Sequence, residues 1–249
     1  MSWNIAHGRG RAFHQLLAAT PRIERNLQRM GAAIAAQEAD LIALQEVDAA
    51  SWWSGGLDQL EHLRRADPPW QSTHGLLADD LGLRYGTAIL SRMPLSDTRS
   101  LVWAAGWYAP AKGATIARVQ LNGARAITFV SLHLHFVASV RRERQLKQLI
   151  ACLASAPRPL VLAGDFNGGW VEGTGVVARI AEALDLRCPD PETLSATHPA
   201  TGTTIDWILW SAPLECVGAR VLANDLSDHR PVVVDLRWPE CTHSRPAQP

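Results

Sequence analysis

Short apolar runs that end in a polar residue recur along the chain. Leu41-Ile42-Ala43-Leu44 leads into Gln45-Glu46, Phe129-Val130-Ser131-Leu132 into His133, and Leu160-Val161-Leu162-Ala163-Gly164 into Asp165-Phe166-Asn167, while Asp228-His229 stands just ahead of Pro231-Val232-Val233-Val234. Runs of this length read as buried strands, so the polar residues at their ends would meet at one edge of a sheet. Strands are expected at 41–45, 87–91, 115–121, 126–134, 160–163, 204–210, 217–222 and 232–236. Two stretches have helical spacing instead. Over 21–37, Ile23, Leu27, Met30 and Ile34 share one face, with Thr20 and Pro21 as cap and first turn. Over 141–154, Leu146, Leu149, Ile150 and Leu153 oppose Arg142, Arg144 and Lys147, which gives that helix a basic polar face. Many strands and two helices in mixed order predict an α/β (α+β) fold of two packed sheets flanked by helices.

Alternation refines the strand ends. Val130, Leu132, Leu134 and Phe136 are expected to pack inward, while Ser131, His133 and His135 share the other face. His135 is read as a surface or core histidine. Asp165 and Asn167 flank Phe166 and would share one side of an extended chain, with an Asx-turn at a strand end as the lesser alternative. Glu46 follows five residues suited to burial, where a carboxylate is costly unless paired or bound to a cation. Carboxylates, an amide and imidazoles at one sheet edge make a site for a hard cation and for acid–base chemistry.

Composition narrows the field. A chain of 249 residues can bury a full core, and no linker divides it, so one domain over 1–239 is expected, with a polar tail at 240–249 that frays. The 24 basic side chains balance 24 acidic ones, without the basic excess of most non-specific nucleic-acid binders. Cys152, Cys188, Cys216 and Cys241 lack C-x-x-C or finger spacing, which speaks against a zinc module; they are read as reduced and structural. Neither a leader pattern nor a bilayer-length apolar stretch is present, so a cytoplasmic protein is expected. Ser227-Asp228-His229 is a serine triad only on paper, since no G-x-S-x-G elbow presents a nucleophile. The H-x-H-x-D-H pattern of dinuclear zinc hydrolases is not completed after His133.

Read in order, Trp3-Asn4-Ile5, Leu44-Gln45-Glu46-Val47, Tyr85-Gly86-Thr87-Ala88-Ile89-Leu90-Ser91-Arg92, Leu132-His133-Leu134, Gly164-Asp165-Phe166-Asn167, Ile205-Asp206-Trp207-Ile208 and Ser227-Asp228-His229-Arg230-Pro231 span nearly the whole chain. Together they resemble the endonuclease/exonuclease/phosphatase superfamily, whose members hydrolyse phosphate esters with magnesium or a similar divalent ion. The resemblance implies a four-layer αββα sandwich with the site at one end of two packed mixed or antiparallel sheets. It implies that Glu46 holds magnesium, or manganese in its place, with Asn4 and Asp228 nearby. Asp165 would orient or deprotonate the attacking water, Asn167 bond a phosphoryl oxygen, and His133 stabilise the transferred group. His229 would activate water or balance charge, with Asp206 on its other nitrogen.

Two departures bear on the substrate. Lys112, in Ala111-Lys112-Gly113, stands where relatives often carry a phosphate-facing arginine, and Gly168-Gly169-Trp170 replaces a small polar loop. Lys112, Trp170, Arg9 in Gly8-Arg9-Gly10-Arg11, and the adjacent Trp52 and Trp53 are the substrate-binding candidates, with Trp103 and Trp107 as further residues of the same rim. The paired tryptophans begin six residues after Glu46 and can stack on a base or sugar, rest on an acyl chain, or fill core. The expected partner is a phosphate-ester substrate, small or lipid-linked, given zero net charge and the tryptophans. The enzyme alternative is a nuclease acting on nucleic acid, resting on Arg141, Arg142, Arg144 and Lys147. A catalytically inactive module that binds phosphorylated ligands is the alternative from another class. The sequence does not address oligomeric state.

Overall fold

The computed structural model describes residues 1–65, 70–103, 110–136 and 140–239. The elements run β1 (Ser2–Asn4), α1 (Thr20–Ala35), β2 (Leu41–Asp48), α2 (Gln59–Arg64), β3 (Gln71–Asp80), β4 (Leu83–Ser91), β5 (Leu95–Trp103), β6 (Lys112–Gln120), β7 (Ala126–His133), α3 (Val140–Ala154), β8 (Leu160–Asp165), α4 (Val176–Leu184), β9 (Asp206–Trp210), β10 (Glu215–Val221) and β11 (Val232–Arg237). A six-stranded sheet has the order β10-β11-β1-β2-β4-β3 and a five-stranded sheet the order β5-β6-β7-β8-β9. Both are mixed: β1 pairs parallel with β2, and β7 parallel with β8 through the α3 crossover, while their other pairs are antiparallel.

Strand alternation builds the layers. In β2, Ile42 and Leu44 turn outward to meet Ile23, Leu27, Met30 and Ile34 of α1, while Ala43 turns inward between the sheets. In β7, Val130 and Leu132 meet Leu146, Leu149 and Leu153 of α3, while Ile127 and Phe129 face the other sheet. Three apolar clusters therefore fill three interlayer spaces, giving the αββα sandwich. The space between the sheets is not uniform. At one end it is apolar, with Ile127, Phe129, Val161, Ile208 and Val232. Further along it turns polar: Gln45 Nε2 donates to Ser131 Oγ at 3.1 Å, and Thr87 and Thr115 hydroxyls meet at 2.7 Å. The candidate residues lie beyond that polar seam.

Several expectations change. β3 and β5, absent from the strand forecast, are edge strands whose exposed, polar-rich faces carry little periodic signal. α4 also lies outside the expected helices, because Val176–Leu184 has nine residues and only Arg179 and Glu182 are charged, too short a stretch for a helical period to stand out. Phe136 is 61% exposed instead of packed inward, since β7 ends at His133. Cys152 and Cys188 are half-buried against the α3/α4 side, but Cys216 is exposed and has no structural part in the core. Among the described residues no helix is long and apolar enough to cross a membrane. Trp107, Cys241 and the 240–249 tail lie outside the described residues.

Candidate active site

Sheet register aligns the first group of residues. His133 lies directly opposite Asp165 across β7 and β8, and Asp165 directly opposite Asp206 across β8 and β9. Three ionisable side chains therefore share one row at the end of the five-stranded sheet. The six-stranded sheet contributes Asn4, paired with Gln45 beside Glu46. The β2–β4 pairing shifts between Leu44 and Val47, and Glu46 sits in that bulge with φ 53°. The bulge releases Glu46 from strict alternation, so Gln45 stays between the sheets and Glu46 faces the pocket.

Asn4 joins the two halves. Its Nδ2 donates to Asp165 Oδ2 at 3.0 Å, and its Oδ1 accepts from the Ala6 amide at 3.0 Å. Asp165 uses its oxygens differently. Oδ1 accepts from the Asn167 amide at 2.9 Å, an Asx-turn, while Oδ2 also lies 3.3 Å from His133 Nε2 and 3.9 Å from His229 Nε2. Asn167 is left-handed, φ 47°, and donates Nδ2 to the Leu134 carbonyl at 2.8 Å. It does not extend alongside Asp165 as alternation suggested. Phe166 is fully buried on the helix side.

His229 bonds Asp206 Oδ2 through Nδ1 at 2.8 Å. A carboxylate can only accept, so Nδ1 carries the proton and Nε2 faces Asp165. Ser227 is no nucleophile here: its Oγ donates to the Asn4 carbonyl at 2.7 Å. Asp228 is gripped by Arg9 at 2.6 Å, and Arg9 lines the same pocket as Glu46. Arg11, the second arginine of that loop, is exposed and pairs with Asp225.

Around Glu46 the nearest described groups are Lys112 Nζ at 3.5 Å on Oε1, His7 Nε2 at 3.5 Å on Oε2, and His133 Nε2 at 4.0 Å. None reaches the 2.7–2.9 Å of a charge-assisted hydrogen bond. A mostly buried carboxylate whose cations stand back in this way suits a divalent ion, which takes oxygen ligands. Lys112 Nζ donates instead to His133 Nε2 at 2.6 Å. A second grouping of possible ligand atoms, on Asp165, Asp206 and His229, lies within 4.8 Å. There Nδ1 of His229 is already committed to Asp206, so the geometry reads better as a hydrogen-bonded pair than as a ligand shell.

Electrostatics divide these groups. Burial would raise the Glu46 carboxyl, but the charges around it, Lys112 first and His7 next, outweigh burial and hold it well below the usual range. For Asp165 burial prevails, reinforced by Asp206, and pushes it up to about 6. Burial presses the His229 imidazole down, yet Asp206 and Asp165 outweigh it and lift it to about 10. Burial and the Lys112 charge both push His133 down, so it stays neutral.

A pocket of about 310 Å³ opens beside Glu46, lined by residues that include His7, Arg9, Phe13, Trp53, Tyr85 and Lys112. Trp53 stacks on Tyr85 with centroids 5.3 Å apart and donates Nε1 to Asp48 at 3.0 Å. Trp52, its neighbour, is 58% exposed. Trp170 and Trp103 depart from the expected rim and pack on the helix-side core instead. A cavity of about 390 Å³ at the opposite end is lined largely by apolar residues such as Ile127, Phe129, Val161, Ile208 and Trp238, and none of the site residues reaches it. His7 and Asp48, bonded at 2.8 Å, were not anticipated from sequence. Asp48 follows Glu46 by two, a spacing that hints at a shared face.

The α3 basic face is also less available than the sequence suggested. Arg142 donates to the carbonyls of His135, Phe136 and Asn167 at 3.0, 2.6 and 2.9 Å and so ties the two strand-end loops together. His135 itself is a core histidine, buried and bonded to the Pro110 carbonyl at 3.1 Å.

A four-layer sandwich that gathers carboxylates, imidazoles and an amide at one end defines a class of hydrolases. The model of the endonuclease/exonuclease/phosphatase family matches residues 1–229, and the chain belongs to that family. Members of the family are generally hydrolytic and generally use a divalent metal. A UPF0294 protein of Vibrio vulnificus is 29% identical over 140 residues, covering 53% of this chain and 47% of the relative. The chain thus spans about half the length of the curated relatives it matches. The fold is shared with a Bacteroides thetaiotaomicron mannosyl-6-phosphatase, at TM-score 0.70 and 16% identity over 95% of this chain and 98% of that one. It is shared too with the catalytic domain of human Nocturnin, at TM-score 0.67 and 21% identity over 95% and 92%.

Proposed function

We propose that the protein is a divalent-metal-dependent phosphoesterase acting on a small or lipid-linked phosphate ester. The observation that carries this reading is the pairing of an ionised carboxylate free of close hydrogen bonds, Glu46, with a buried Asp165 whose carboxyl sits near neutrality. Glu46 would hold magnesium or manganese, with Asn4 and Asp228 orienting groups around it. The bound ion supplies charge neutralisation at the phosphate and the leaving oxygen.

Asp165 accepts a proton from the attacking water, for which a pKa near working pH is suited. His229, kept cationic by Asp206, donates Nε2–H toward the phosphoryl oxygens and balances the charge that builds there. Lys112, adjacent to His133, adds a second positive group at the pocket wall. The Asn167 amide retains one N–H beyond its bond to Leu134 and completes the phosphoryl contacts. Attack proceeds in line, without a covalent enzyme intermediate.

The pocket supports the substrate class. Its volume of about 310 Å³ suits a head group or sugar, and the Trp53–Tyr85 stack offers an aromatic wall. Phe13, Trp52 and Leu81, at 91%, 58% and 88% exposure, add apolar surface on neighbouring loops. A nuclease is the second reading, favoured by the exposed Arg144 and Lys147 of α3. Arg142, spent on backbone carbonyls, weakens it.

A panel of phosphate esters that includes nucleic acids, nucleotides, sugar phosphates and phospholipid head groups, run with magnesium, manganese and calcium, tests the assignment. Turnover should require added metal and fall on the order of 10³-fold or more in Glu46→Ala. Near-normal turnover in that variant overturns it. Preferred cleavage of DNA or RNA, with affinity falling steeply as salt rises, selects the nuclease instead.

A further inference from the structure

The corner around Glu46 repeats the arrangement around Asp165. Asp206 holds His229 by Nδ1 at 2.8 Å, and the ring's Nε2 stands 3.9 Å from Asp165. Asp48 holds His7 by Nδ1 at 2.8 Å, and that ring's Nε2 stands 3.5 Å from Glu46 Oε2. Neither His7 nor Asp48 has a part in the hydrolysis described above.

We propose that His7 is a positioning residue for the cation-binding carboxylate: gripped by Asp48, its Nε2 edge steadies Glu46 Oε2 while Lys112 flanks Oε1. The proposal rests on the reading that Glu46 holds the divalent ion. It adds a second support shell that the reaction scheme alone does not require.

Four observations converge on it. Asp48 is fully buried and fully satisfied: His7 meets Oδ1, and Trp53 Nε1 and Gln59 Nε2 donate to Oδ2 at 3.0 and 3.4 Å. Gln59 also donates to the His7 carbonyl at 2.7 Å and accepts from the Asp48 amide at 3.1 Å, which closes the network. A complete buried network is rigid, whereas a buried carboxylate used only as filler would be destabilising. Trp53 and Tyr85 pack against the imidazole edge-on, with centroids 5.0 and 5.6 Å away.

Backbone strain adds to the case. Ala6, His7 and Glu46 all lie in the left-handed region, at φ 50°, 52° and 53°. Such conformations are unfavourable for ordinary residues and persist where surrounding structure over-determines them. Here they aim His7 and Glu46 at each other. A side chain on a bulge has rotamer freedom that a lateral contact removes. Ligands held by such outer contacts bind metal more tightly.

Calorimetric titration of the full chain with Mg²⁺ and Mn²⁺ tests the idea on wild type, Glu46→Gln, His7→Asn and Trp53→Phe. Asparagine tolerates the left-handed backbone, so His7→Asn removes the ring without new strain. Trp53→Phe keeps an aromatic ring beside Tyr85 and removes the indole donor to Asp48. His7→Asn should bind the ions about 10- to 100-fold more weakly, and Trp53→Phe a few-fold more weakly. With bis(p-nitrophenyl) phosphate as probe, kcat of His7→Asn at saturating Mn²⁺ should stay within about threefold while the metal concentration for half-maximal rate rises in step. Metal-free melting temperatures establish that the variants are folded.

A folded His7→Asn with wild-type ion affinity overturns the proposal. If His7→Asn does not fold, unchanged affinity in Trp53→Phe does the same. Affinity that ignores Glu46→Gln as well overturns the metal assignment and this inference together, whereas affinity lost only in Glu46→Gln overturns this inference alone.

Discussion

Glu46 and Asp165 both approach His133, whose Nε2 is 4.0 Å from one and 3.3 Å from the other. Each faces a histidine held by its own aspartate, yet the two acids titrate in opposite directions. Glu46 sits on a bulge with a side chain 21% exposed, and Lys112, His7 and His133 surround it with positive or polarisable nitrogen. Asp165 is nearly sealed from solvent, its burial dominates, and Asp206 one strand away adds like charge. In the proposed scheme the same chemical group serves as a permanent anion in one wall of the site and as a proton acceptor in the other. What separates them is the count of nearby cations and the depth of burial.

The sharpest way to break this contrast is to neutralise each acid in turn. Asp165→Asn should lower kcat about 10³-fold or more while ion affinity, read by calorimetry, shifts only a few-fold. Glu46→Gln should weaken ion binding first. Equal loss of ion affinity in both would erase the distinction.

Next in size is the acid limb of the rate profile. Asp165 must be ionised to take a proton, and burial, then Asp206, raise its carboxyl from an ordinary 3.8 to about 6. As pH falls through about 6 the ionised fraction is lost, so kcat/KM should drop about tenfold per pH unit. A profile level down to pH ~4.5 would contradict the assignment of Asp165 as the base.

The smallest effect concerns stability. The folded-state pKa of His229 is raised from 6.5 to about 10 because Asp206 and Asp165 outweigh the opposing cost of burial. Its stabilising share is therefore complete below about pH 6.5 and lost as pH rises through about 10. Thermal melts between pH 6 and 10.5 should show wild type losing a few °C more than Asp206→Asn. Parallel curves would mean that the pair adds nothing to the fold.

Much of the fold was legible because the buried strands β2, β7, β8 and β11 are short apolar runs, and α1 and α3 present clear apolar faces. β1 has only three residues, too few for any period, and was visible only through the Trp3-Asn4 motif. In the site, motif order singled out the residues that register then brings into one row. Local conformation was less accessible. Asn167 and Glu46 adopt positive φ, which alternation cannot express. Trp52 and Trp53 are adjacent, and nothing in sequence could say that one would face solvent while the other bonds Asp48. His7 escaped notice because a lone histidine after a strand carries no pattern, and its partner Asp48 lies 41 positions away.

The rung that joins His133, Asp165 and Asp206 has an evolutionary corollary. Adjacent strands keep a spacing of about 4.8 Å whatever sequence surrounds them, so these three groups inherit their separations from the main chain and not from the loops. Loops bearing Phe13, Trp52 and Leu81 can then lengthen, shrink or change character without disturbing the ruler beneath them.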